Sequence, residues 1–274
     1  MADVYDVIPE PIKPLLPGVV VVRPTADELF DSLGADLMIH ANNCVRSFGD
    51  FHLALSGGST PMPFYKHLMI DPHYRDFPWK RTHLWIVDER QVGFDDERCN
   101  FTHIDEIIGQ HSDIPREQVH PMLAMATDAD EQYELLLRQT LFFREKGQDR
   151  LDFVLLGMGG DGHTASLFPH SPALSGGHRP GPDGVDLPRL VLINSGPKVT
   201  PPDRVTMSYV MLNAARFVAV LVTGSGKRAT VAQLVARRDE PGASADLPVL
   251  GIRPSAGVLR WYLDADACPT APTL

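Results

Sequence analysis

Two hydrophobic periodicities take turns along the chain. Short apolar runs predict strands at VVVVRP, FHLALS, THLWIVDER, DFVLL, PRLVLINS, RFVAVLV, VLGIRP and LRWYLD. Between them, apolar residues three and four apart predict amphipathic helices. The first, TADELFDSLGADLMIHANNCVRSF, opens at Thr25 with Glu28 at capping-box spacing. FYKHLM begins a second, and ADEQYELLLRQTLFFREKG gives a third that starts after Thr127 or Asp128 and ends at Gly147. RVTMSYVMLNAA and KRATVAQLVARR supply two more, and HTASLF reads as the start of a helix after a glycine loop. Residues 169–188, PHSPALSGGHRPGPDGVDLP, carry no such period and read as a long surface loop, either mobile or functional as a lid.

Strands alternating with helices, with strands apolar on both faces, imply an α/β fold whose mostly parallel sheet is covered on each side by helices. The expected organisation is one domain over residues 1–274, with residues 1–18 as an extended N-terminal segment and a small additional strand region. In such sheets ligands sit beyond the carboxyl ends of the strands. Four segments share that position here: SGGSTP, DER, GMGGDGH and TGSGK.

Composition narrows the setting. Of 274 residues, 43% are hydrophobic and 22% charged, an ordinary globular profile. Cys44, Cys99 and Cys268 are odd in number, far apart and in no CxxC pattern, which points to a reducing compartment and away from structural zinc. The N-terminus lacks the basic start and apolar core of a signal peptide, and apolar runs such as Phe217–Val222 and Phe153–Leu156 are too short to span a bilayer. A cytoplasmic protein is therefore expected, with no membrane partner. The net charge of −10 argues against nucleic acid. It also means that any anionic ligand needs positive charge concentrated locally.

The four loops carry residues suited to that task. Gly57, Gly58, Ser59 and Thr60 let the backbone and hydroxyls approach an anion at a helix start, although the same segment also suits a plain strand-to-helix turn. Arg90 can fork a phosphate or carboxylate, while Asp88 can orient another group or bond a hydroxyl; a surface ion pair would look the same. Gly157–Gly162 formally fits GxGxxG, but Pro169 follows within two turns and no acid-ending strand comes about 20 residues later. What remains is a flexible loop presenting Asp161 and His163, the latter suited to general-base work. Gly224–Lys227 lacks the first glycine of a P-loop, so Lys227 is a candidate point charge for phosphate, with Arg204 a weaker one. No HExxH or equivalent spacing suggests a metal. Ser166 lacks the GxSxG context of a nucleophile.

In this order SGGSTP, WIVDER, LLGMGGDGHTASLFP, RVT and TGSGK resemble the 6-phosphogluconolactonase family, from about Val19 to Ala267. The resemblance implies a three-layer Rossmann-like fold and hydrolysis of 6-phosphoglucono-1,5-lactone to 6-phosphogluconate in the oxidative pentose phosphate pathway. It implies no required cofactor and a small-molecule substrate as partner; a monomer or weak homo-oligomer is expected. The sister glucosamine-6-phosphate deaminases read DGHIAFNEP and DEY where this chain has DGHTASLFP and DER, so Phe168 stands in the place of a titrating glutamate. A deaminase and a non-catalytic sugar-phosphate binder remain the alternatives. The expected mechanism has His163 as general base for water attack on the lactone carbonyl, oriented by Asp161 or Asp88. The 6-phosphate would lie on Gly57, Gly58, Ser59 and Thr60, with Arg90, Lys227 and Arg204 around it.

Overall fold

The computed structural model describes residues 12–181 and 184–270. Among them, a seven-stranded sheet runs in the order β1 (Val19–Arg23), β12 (Val258–Asp264), β11 (Phe217–Val222), β6 (Phe153–Leu156), β2 (Phe51–Leu55), β3 (Thr82–Ile86) and β5 (Val119–His120). Every neighbouring pair is parallel. A second, antiparallel sheet joins β4 (Asp88–Arg90), β10 (Asp203–Met207) and β9 (Val191–Ser195). The helices are α1 (Ala26–Phe48), α2 (Pro61–Ile70), α3 (Asn100–Ile104), α4 (Ala129–Leu141), α5 (Tyr209–Ala214) and α6 (Arg228–Arg237). This is the expected Rossmann-like α/β arrangement.

The central strands β2, β6 and β11 expose none of their side chains, as strands covered on both faces require. α1 begins where its cap predicts: the Thr25 side chain accepts the Glu28 N–H at 3.3 Å. Leu29, Leu33, Leu37 and Ala41 form its buried stripe, and the helix packs on β1, β12 and β2. After β2 the chain continues outward to β3 and β5; after β6 it continues on the other side, to β11 and β12. The loops following the adjacent strands β2 and β6 therefore diverge and open a crevice at this switch point.

Several expected boundaries differ. THLWIVDER is two strands rather than one. Val87 donates its N–H to Leu55 of the large sheet, while its carbonyl accepts from Met207 of the small one. RVTM belongs to strand β10, and Ser208 caps the shorter helix α5 through the Met211 N–H. HTASLF forms turns instead of a helix, with Ala165 at φ 49°. VLGIRP is a 3-10 turn over Pro248–Gly251 rather than a strand, and α4 ends at Leu141, short of Gly147.

The segment 169–188 is largely structured. Its described part contains a 3-10 turn, Pro172–Ser175, and a hairpin of β7 (His178–Pro180) with β8 (Asp186–Pro188). Arg179 pairs with the buried Glu134 of α4 at 2.9 Å, and Arg189 just beyond the hairpin does so at 3.3 Å. Of the 1–18 segment, residues 1–11 lie outside the described residues. No helix of the described residues is long and apolar enough to cross a membrane.

Opposite the crevice, the fully buried Asp152 ties the amino-terminal edge together. It accepts from Arg144 at 2.8 Å, from Arg216 at 2.9 Å and from the His52 N–H at 2.7 Å. Removing its carboxylate leaves buried donors unpaired. Asp152→Ala is therefore expected to lose about 3–5 kcal/mol in urea denaturation. A loss below about 1 kcal/mol would show that these groups find water instead.

Candidate active site

A cavity of about 400 Å³ opens at the switch point. The loop after β2 supplies Ser56 to Pro61, and the loop after β6 supplies Gly157 to Gly159 and His163 to Ser166. Asp88, Arg90 and Arg204 come from the small sheet, and Lys227 from the turn before α6. Of the residues singled out from sequence, Gly57, Gly58, Ser59, Thr60, Asp88, Arg90, His163, Arg204 and Lys227 all line the cavity. Asp161 stands behind His163.

That pair has defined geometry. His163 Nδ1 lies 2.5 Å from Asp161 Oδ1, and the His163 backbone N–H donates to the same oxygen at 3.2 Å. The hydrogen bond from His163 holds the Asp161 carboxyl down at about 2, so at neutral pH it only accepts. Nδ1 must then carry a proton, and in the neutral imidazole the lone pair falls on Nε2. A Cβ at Gly159 would lie 2.1 Å from His163 Nδ1, which explains the glycine there. Asp88 forms no hydrogen bond with the imidazole. Its Oδ2 accepts from Ser166 Oγ at 2.6 Å. The choice between the two acids as orienting group falls to Asp161 on this geometry.

Three cations line the cavity. Arg90 and Arg204 stand opposite each other in the β4–β10 ladder. Among the described residues, neither they nor Lys227 form an ion pair with a carboxylate. Arg204 is only 5% exposed, and burial lowers its pKa. It donates to the backbone carbonyls of Pro201 and Asp203 and lies 5.9 Å from the Phe168 ring. Burial also lowers the Lys227 pKa, with Asp161 acting in the opposite sense. The Thr60 hydroxyl makes no cap bond to α2 and is available to a ligand.

Sequence reasoning missed Asn100, which lines the cavity and is buried. Glu89 accepts the N–H groups of Asn100 and Phe101, at 2.8 and 2.7 Å, and so caps α3. Asn100 in turn donates to the Asp88 carbonyl at 2.8 Å, and a Cβ at Gly57 would fall 1.8 Å from its Oδ1. The one available signal was an Asn a helix-start away from an acidic strand end. Two groups with metal-ligating side chains, Asp50–His52–His83 and Asp31–His67–Asp71, lie away from the cavity. In the first, Trp85 Nε1 donates to His52 Nδ1 at 3.0 Å, so Nε2 carries a proton rather than a free lone pair.

Fold and cavity together define an α/β protein with a crevice lined by Arg90, Arg204 and Lys227 and a paired histidine at its sheet switch point. Residues 24–261 match the family described as glucosamine-6-phosphate isomerases/6-phosphogluconolactonase, and the chain belongs to that family. It is 35% identical over 227 residues to a 6-phosphogluconolactonase of Synechocystis sp., covering 80% of this chain and 84% of that protein. It is 39% identical over 253 residues to the GDH/6PGL endoplasmic bifunctional protein of Homo sapiens, covering 90% of this chain. The chain spans 30% of the length of that protein and 29% of its Oryctolagus cuniculus counterpart. The crystal structure of 6-phosphogluconolactonase from Thermotoga maritima superposes with a TM-score of 0.71 at 26% identity, over 90% of this chain and 99% of the other.

The lowered Lys227 pKa has a measurable consequence. An amine with a depressed pKa loses its charge at lower pH than an ordinary lysine, so affinity for inorganic phosphate is expected to fall on the alkaline side before the usual value of 10.5. In Lys227→Arg, calorimetry is expected to show that alkaline decline moved upward. Superimposable profiles would mean that Lys227 does not meet the anion.

Proposed function

We propose that this chain hydrolyses 6-phosphoglucono-1,5-lactone to 6-phosphogluconate, the lactonase step of the oxidative pentose phosphate pathway. The observation that carries the reading is the set of cavity cations, Arg90, Arg204 and Lys227, without carboxylate partners beside a histidine of fixed tautomer. The phosphate lies on Gly58, Ser59 and Thr60 at the start of α2, with Gly57 keeping room beneath, and the cations neutralise its charge.

His163 Nε2 takes a proton from water as the water oxygen bonds to lactone C1. Negative charge builds on the carbonyl oxygen, where a cavity cation opposes it. The tetrahedral intermediate collapses, the bond from C1 to the ring oxygen breaks, and the His163 imidazolium returns its proton to that oxygen. The products are the sugar hydroxyl and a carboxylic acid, which ionises in water. Asp161 stabilises the imidazolium throughout.

Phe168 argues against deamination. Its ring lies 5.0 Å from the His163 ring and is nearly buried, so no carboxylate there relays protons. A cytoplasmic setting is supported by the three buried free cysteines, although the bifunctional relatives carry the word endoplasmic in their names. We propose a monomer or weak homo-oligomer. The acidic balance of the chain supports the expectation of no nucleic-acid partner.

Freshly generated lactone, with its spontaneous opening subtracted, tests the reading. Wild type is expected to accelerate hydrolysis, and His163→Ala to lose about 10²–10⁴ of that rate while still binding 6-phosphogluconate. A mutant as fast as wild type would remove His163 as base. Binding without turnover in wild type would leave only a sugar-phosphate binder.

A further inference from the structure

Ser166 lines the cavity yet is almost wholly buried, and each of its polar groups is engaged. Its hydroxyl donates to Asp88 Oδ2 at 2.6 Å. Its backbone N–H donates to Thr206 Oγ1 at 3.2 Å, and its carbonyl accepts from Asn194 Nδ2 at 2.7 Å. Asp88, Thr206 and Asn194 lie on β4, β10 and β9, so all three strands of the small sheet grip this one residue. Just before it, Ala165 has φ 49°, a left-handed conformation that a residue with a side chain holds only under constraint. Thr164 fixes that turn from the other side, donating through Oγ1 to the Gly157 carbonyl at 2.8 Å.

The result is a carboxylate with one oxygen occupied and one free. Asp88 lines the cavity, its main-chain carbonyl is held by Asn100, and its Oδ1 has no protein partner among the described residues. Because Oδ2 accepts the serine proton, Oδ1 is the oxygen left to offer lone pairs to a donor in the cavity. In a cavity that takes an anion, such a group repels phosphate and accepts from a neutral donor. His163 is not that donor, since Asp161 holds its N–H.

We propose that Ser166 is a positioning residue: it locks Asp88 as the acceptor of one sugar hydroxyl, and this pair selects polyhydroxylated phosphates over other phosphorylated acids. The inference rests on the cavity being a sugar-phosphate site.

A double-mutant cycle tests it, with 6-phosphogluconate and inorganic phosphate titrated separately into wild type, Ser166→Ala, Asp88→Ala and the double variant. Each single change is expected to weaken 6-phosphogluconate about ten- to a hundredfold, without weakening phosphate. The double variant is expected to bind no worse than Asp88→Ala, because the hydroxyl acts only through that carboxylate. If Asp88→Ala does not fold, Asp88→Asn takes its place. Fully additive losses, unchanged binding in Ser166→Ala, or an equal loss of phosphate affinity would overturn the proposal. So would Ser166→Ala that binds 6-phosphogluconate normally but has no turnover, which would make the serine a nucleophile. The expected binding pattern in a wild type that does not hydrolyse lactone would sink the hydrolase reading and leave this one standing.

Discussion

Arg90 and Arg204 face each other across neighbouring antiparallel strands, and like charges in that position repel unless something negative lies against them. The protein does not lack carboxylates, having 35 acidic residues against 25 Lys and Arg. It uses them on other arginines: Arg144 and Arg216 on Asp152, Arg189 on Asp130, Arg237 on Glu240. The cavity pair forms no ion pair with a carboxylate among the described residues, and on the proposed function an anionic ligand supplies that charge. Arg204 is buried as well, so its charge is costly to hold without a counter-ion and correspondingly strong toward an anion placed beside it.

Placing that pair depends on a break in one strand. At Val87 the chain leaves the large sheet and enters the small one, with its N–H in the first and its carbonyl in the second. The next three residues then do separate work. Asp88 turns to Ser166, Glu89 caps α3 and so sets Asn100 beneath Gly57, and Arg90 meets Arg204. Burial raises the Glu89 pKa even though three backbone N–H groups favour its charge, and those three bonds commit the carboxylate to holding Arg90 and the start of α3.

Much of this was legible in the residues. The apolar runs of β2, β6 and β11 and the capped stripe of α1 follow from periodicity alone, and the glycine loops fall on one sheet edge as α/β topology demands. The break at Val87 was not legible, because THLWIV is uniformly strand-forming and only the partner backbones distinguish its two halves. RVTM looked helical although its β-branched residues suit a strand, and the true start signal, Ser208 as cap, lies in the middle of the segment. HTASLF fails to form a helix because Ala165 adopts a left-handed turn that no composition announces. Among site residues, the distinction between Asp161 and Asp88 needed distances, and Ser166 is legible only once Asp88 is beside it.

Relative rates on phosphorylated and unphosphorylated substrate bear most directly on the cations. We would compare kcat/KM for 6-phosphogluconolactone and glucono-1,5-lactone in wild type and in Arg204→Met. If the unpaired guanidiniums hold the phosphate, wild type prefers the phosphorylated lactone by about 10³ or more, and the variant loses most of that preference while its rate on the plain lactone stays within about tenfold. Equal rates on both lactones in wild type, or an undiminished preference in the variant, would contradict the phosphate site on which the rest is built.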